Sequence, residues 1–77
     1  MGRNTESRQV EIAADEEFLR VKRVLEKTGL SRPQLYREMQ AGRFPKGHSY
    51  PGKRITFWLS SEVRAWQQEQ MRLVLAS

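Results

Sequence analysis

The chain has 77 residues, 38% of them apolar and 30% charged, with no cysteine and a formal net charge of +5. A length near the lower limit for one hydrophobic core excludes a multi-domain enzyme, and the missing cysteines exclude a disulfide framework, a Cys-rich zinc site and a thiol nucleophile. The apolar runs are far shorter than the roughly 20 residues of a membrane span, no basic-then-apolar start resembles a signal peptide, and the basic balance points to an anionic partner in the cytoplasm.

Residues 1–17 are polar apart from a short stretch at Val10–Ile12. They set Arg3 and Arg8 against Glu6, Glu11, Asp15, Glu16 and Glu17 and are read as a flexible acidic N-terminal tail. Phe18–Val21 follows as a short extended lead-in to a domain expected over residues 18–70. From Lys22 the apolar spacing is helical, with Val21, Val24 and Leu25 at i, i+3, i+4. Gly29 suits the left-handed position that closes a helix, so the first helix is expected over about Lys22–Thr28.

A second helix is predicted over Arg32–Ala41. Ser31 can act as N-cap with Gln34 closing a capping box, and Leu30 with Leu35 forms a hydrophobic staple. Pro33 stands in the first turn, where a missing N–H costs nothing, and Gly42 supplies the stop. Two short helices joined by Gly29-Leu30-Ser31 make a helix-turn-helix.

The pattern then turns to β. Pro51-Gly52 fits the centre of a type II turn, and Ile55-Thr56-Phe57-Trp58-Leu59 is a β-branched and aromatic run. Lys46–Tyr50 is expected to pair with it in a hairpin whose tip carries Lys53 and Arg54. Ser60 or Ser61 is expected to cap a third helix, with Val63 and Trp66 on its core side, ending near Gln70. Met71–Ser77 is read as a C-terminal tail. The fold class is therefore mainly α with a small β-hairpin wing, a winged helix-turn-helix.

Several residues read as structural. Trp58 and Trp66 belong to the core, Phe44 packs the corner between helix and wing, and His48 has no ligand cluster near it and reads as a loop residue. No Ser/His/acid arrangement, phosphate-cradling glycine loop or paired carboxylate is visible. An enzyme, a metal and a cofactor are not expected.

The charge is localised. Residues 18–54 hold Arg20, Lys22, Arg23, Lys27, Arg32, Arg37, Arg43, Lys46, Lys53 and Arg54 against only Glu26 and Glu38, a balance of +8. A positive block of this kind is the footprint expected for a polyanion. A solvated surface is the plain alternative. The outer face of the second helix weighs for the polyanion. Opposite Leu35 and Met39 it presents Gln34, Arg37 and Gln40, with Arg32 at its N-terminal end. Arginine pairs bidentately with guanine and glutamine with adenine in the major groove. Ser31 and the free N–H groups of the first turn suit a phosphate. Tyr36, on the flank, reads either as core edge or as a hydroxyl for a phosphate. Arg43, Lys46, Lys53 and Arg54 are assigned to the DNA backbone.

These residues resemble the AlpA family of phage and prophage regulators over roughly residues 18–70. The likeness runs through Leu19-Arg20-Val21-Lys22-Arg23-Val24, Thr28-Gly29-Leu30-Ser31, Leu35-Tyr36-Arg37, Gly42-Arg43-Phe44-Pro45-Lys46 and Trp58-Leu59-Ser60-Ser61-Glu62-Val63-Arg64-Ala65-Trp66. Pro33-Gln34 departs from the small or hydroxylated residues usual there. The resemblance implies a winged helix related to MerR-type domains and phage excisionases. It also implies double-stranded DNA as partner, with Ser31, Arg32, Tyr36 and Arg37 touching it from the recognition helix. The expected function is transcriptional regulation of prophage genes. An excisionase that bends DNA for an integrase is one alternative, and a module docking an acidic protein is another. Further partners would be RNA polymerase or an integrase, and other copies of the chain bound cooperatively, since one such helix reads few base pairs.

Overall fold

The computed structural model describes residues 14–77, so Val10–Ile12 and most of the acidic tail lie outside the described residues. The elements run β1 (Phe18–Leu19), α1 (Val21–Thr28), α2 (Arg32–Gln40), β2 (His48–Ser49), β3 (Thr56–Leu59) and α3 (Ser60–Ala76). Three helices and a small antiparallel sheet of order β1-β3-β2 make up the winged helix-turn-helix.

The first helix begins one residue earlier than its spacing suggested, at Val21, because Arg20 takes the extended N-cap conformation. Its stripe behaves as expected: Val24 is fully buried, with Val21 and Leu25 packed against the core. Gly29 closes α1 in the left-handed region, its N–H donating to the Leu25 carbonyl at 2.8 Å. Thr28 tightens the turn, its Oγ1 donating to Val24 O and accepting from Leu30 N. From outside, Gln67 of α3 donates to the Lys27 carbonyl at 2.7 Å, so one of the orphan carbonyls at the end of α1 is met by a distant side chain.

The sheet differs from the predicted hairpin in two ways. Pairing between β2 and β3 is confined to His48↔Phe57 and Ser49↔Thr56, because Pro51 lacks an amide donor and ends the ladder. The expected turn forms beyond it, with Lys53 N donating to Tyr50 O at 3.1 Å and Gly52 at φ 73°. The second difference is an added strand. Residues read as a lead-in form β1 and pair Phe18↔Leu59 and Leu19↔Trp58.

Alternation on β3 then divides the side chains. Trp58 faces the core with Leu19, Val24, Leu35, Phe44 and Val63. Phe57 takes the other face, stacked between Phe18 (4.5 Å) and Tyr50 (4.7 Å). His48 is not the loop residue expected. It sits on β2 across from Phe57, with Nε2 2.9 Å from Glu62 Oε2.

Gly47, just before β2, is held to glycine by a close approach. A Cβ there would collide with the Thr56 methyl and lie 3.1 Å from Trp58 Cζ2. Overpacking at such a contact costs about 1–3 kcal/mol. Gly47→Ala is therefore expected to lower the urea midpoint without changing the slope. A midpoint equal to that of the parent chain would contradict this packing.

The start and end of α3 both correct the sequence expectation. Leu59, not a serine, is the N-cap. Glu62 Oε1 accepts from Leu59 N at 3.0 Å. The two serines turn toward the chain before β1: Ser60 Oγ accepts from Glu17 N, while Ser61 donates through both N and Oγ to Glu16 Oε2. A carboxylate from another segment thus meets an orphan N–H of the first turn, where negative charge is favourable. At the far end α3 continues through Ala76, beyond the Gln70 expected. The core stripe ends, but no Gly or Pro intervenes and the residues are good helix formers. Glu69 and Arg72 add a close i,i+3 pair. Met71, Leu73, Val74 and Leu75 on this last stretch are exposed.

Candidate nucleic-acid interface

The start of α2 is built as its sequence dictates. Ser31 Oγ accepts from Gln34 N at 3.2 Å and Gln34 Oε1 accepts from Ser31 N at 2.8 Å, a reciprocal capping box. Pro33 occupies the first turn, and Leu30 and Leu35 both pack inward. Leu35 is wholly buried, which fixes the rotation of the helix about its axis. Arg32, Gln34, Tyr36, Arg37 and Gln40 are consequently all exposed, with Tyr36 45% accessible. Gln34 has already committed its carbonyl oxygen to the cap, leaving its amide N–H₂ as the group the cap does not use.

The end of α2 carries a feature that the sequence reading missed. Gly42 adopts φ 79°, and Arg43 N donates to Glu38 O at 2.9 Å. This backbone turn brings residue 43 back over residue 38, where a hydrophobic contact usually closes the motif. Here the contact is ionic. Arg43 Nε and Nη2 donate to the two carboxylate oxygens of Glu38 at 2.9 and 3.0 Å. These hydrogen bonds, aided by the charges of Arg43 and Arg37, hold the Glu38 carboxyl below its ordinary range; the same hydrogen bonds and the charge of Glu38 raise the Arg43 guanidinium. An acid four residues before a stop glycine with a base just after it is a signal the sequence did contain.

The wing is fastened to this end of α2. Phe44 is buried and meets Trp58 edge-on at 6.3 Å and Trp66 at 5.4 Å. Trp58 Nε1 donates to the Pro45 carbonyl at 2.9 Å. On the outer face, the Phe18–Phe57–Tyr50 stack and the His48–Glu62 pair hold the base of the wing. Lys46 before β2, and Lys53 and Arg54 at the tip, are exposed.

Every one of the ten residues singled out from the sequence is thus on the surface. Ser31 and Gln34 are engaged with each other, and Arg43 with Glu38. Among the described residues, Arg32, Arg37, Lys46, Lys53 and Arg54 make no ion pair. Also among the described residues, no cluster of three His, Asp or Glu could hold a metal ion, and no helix is long and apolar enough to cross a membrane. The arrangement offers hydrogen-bond donors and positive charge to a partner.

Comparison with known proteins gives a consistent result. A family model described as "Prophage CP4-57 regulatory protein (AlpA)" matches residues 17–73. The uncharacterized protein ORF88 of Enterobacteria phage P4 is 47% identical over 51 residues, 66% of this chain and 57% of that protein. The match therefore spans little more than half the length of the curated relative. No solved structure matches the chain.

Proposed function

The chain belongs to the AlpA family of prophage regulatory proteins, and from that premise we propose that it is a sequence-specific DNA-binding transcriptional regulator. In this reading α2 enters the major groove and the wing follows the backbone beside it. Arg37 and Arg32 read base edges, with Gln40 and the free amide of Gln34 beside them. Ser31, Tyr36, Arg43, Lys46, Lys53 and Arg54 contact phosphates. Residues 18–70 form the binding unit. Since one recognition helix covers few base pairs, several copies bind adjacent sites.

The observation that carries the reading is the coincidence of charge with geometry. The segment of +8 contains the helix-turn-helix and the wing tip. Of its ten cations, Arg32 and Arg37 lie exposed on α2 and Lys53 and Arg54 at the tip, with Arg43 and Lys46 exposed between them, while Leu35 is turned wholly inward. A basic face that merely docked an acidic protein would bind all duplexes weakly and alike.

A salt titration on duplexes tests the reading. Lys53→Ala is expected to weaken binding to all sequences equally and to flatten the slope of log affinity against log salt by about one. An unchanged slope would remove the wing from the interface.

A further inference from the structure

Glu38 is an acid on the helix proposed to face DNA, where its own charge repels phosphate. Its position argues for a constructive role. The side chain of Glu38 is 27% exposed and that of Arg43 is 62% exposed, so the carboxylate lies inward and the guanidinium outward. The backbone turn at Gly42 fixes both ends of the pair. The pair is formed side-on, through Nε and Nη2. A guanidinium has five N–H donors in a rigid plane. The side-on pair uses two of them and leaves the end-on edge, Nη1 and the second hydrogen of Nη2, available for another anion.

We propose that Glu38 is a positioning residue, a buttress that aims the free edge of Arg43 at a backbone phosphate beside the C-terminal end of α2. The inference rests on the DNA-binding reading and adds to it a role for the one acid of the helix. Held in this way, Arg43 spends less conformational freedom on contact than an unsupported arginine would. Both groups are charged at neutral pH at their ordinary values, and the hydrogen bonds between them lower Glu38 and raise Arg43 further.

The test turns on a sign. Removing a negative charge beside DNA strengthens binding if that charge only repels. If Glu38 positions Arg43, its removal weakens binding. One phosphate contact contributes roughly eightfold at 0.1 M salt through counterion release. Arg43→Ala is therefore expected to cost about eightfold and to flatten the salt slope by about one. Glu38→Ala should cost about threefold or more, with Glu38→Gln, which retains one acceptor oxygen, in between.

The double variant Glu38→Ala/Arg43→Ala should bind no worse than Arg43→Ala alone, because the buttress then has nothing to hold. Circular dichroism confirms that each variant folds. Glu38→Ala binding as tightly as the parent chain, or more tightly, overturns the proposal. So does a further loss in the double variant. Arg37→Ala and Lys53→Ala run alongside: if neither changes duplex binding, the DNA reading itself fails. If both do while Glu38→Ala does not, only the buttress fails.

Discussion

Trp58→Ala is expected to leave the fold only marginally stable at 25 °C. The indole is 1% exposed, lies opposite Leu19 across the sheet, and meets Phe44 edge-on. Its Nε1 also satisfies the Pro45 carbonyl. Truncating a buried tryptophan costs about 3–5 kcal/mol. A domain this small sits near the low end of the roughly 5–15 kcal/mol that stabilises native proteins. The loss therefore consumes most of the margin. Trp58→Phe separates the two contributions. It keeps most of the volume and leaves the Pro45 carbonyl without its donor, at about 1–3 kcal/mol. Urea unfolding followed by circular dichroism reads both. A Trp58→Ala chain with a cooperative transition near the parent midpoint would contradict the assignment of Trp58 as the centre of the core.

Arg37→Ala is expected to have the largest effect on DNA with almost none on stability. The residue is exposed and makes no ion pair among the described residues, so the fold should change by no more than about 0.5 kcal/mol. Loss of a bidentate base contact costs about 1–3 kcal/mol and relaxes the preference at one base position. Phosphate contacts behave otherwise: the Lys53→Ala variant is expected to lose affinity for every duplex alike. Equal losses on specific and scrambled duplexes for Arg37→Ala would move that residue from base reading to the backbone. Measuring both duplexes at two salt concentrations separates the outcomes.

Much of this architecture was legible because its signals are local. The capping box of Ser31 and Gln34, the separate apolar stripes around Val24 in α1 and Leu35 in α2, and the turn at Pro51-Gly52 each depend on residues within a few positions of one another. All three formed as expected. The readings that changed depend on distant partners. A strand as short as β1 exists only because Trp58 and Leu59 lie beside it. Ser60 and Ser61 look like caps until Glu16 and Glu17 arrive to claim them. His48 looks like a loop residue until Phe57 lies opposite it on β3 and α3 brings Glu62 alongside.

The interface divides in the same way. Exposure of Arg32, Arg37 and Gln40 follows from the periodicity of α2 once Leu35 is set inward. The pairing of Glu38 with Arg43 requires the left-handed turn at Gly42 as well as the spacing of the two charges along the chain. In a linear reading Glu38 is simply a minority charge within a basic block. Folded, it becomes the support of the cation next to it in space. The exposed run of Met71, Leu73, Val74 and Leu75 was equally hidden, because a tail was expected where the helix in fact continues.

In the proposed complex α2 reads the DNA sequence. Selection of bound duplexes from a random pool, run in parallel with the parent chain and Arg37→Ala, tests it most directly. The parent chain is expected to enrich one short motif, present singly or as neighbouring copies, and the variant to lose preference at one position of that motif. A pool that remains random under the parent chain, or a motif that Arg37→Ala leaves intact at every position, would contradict it.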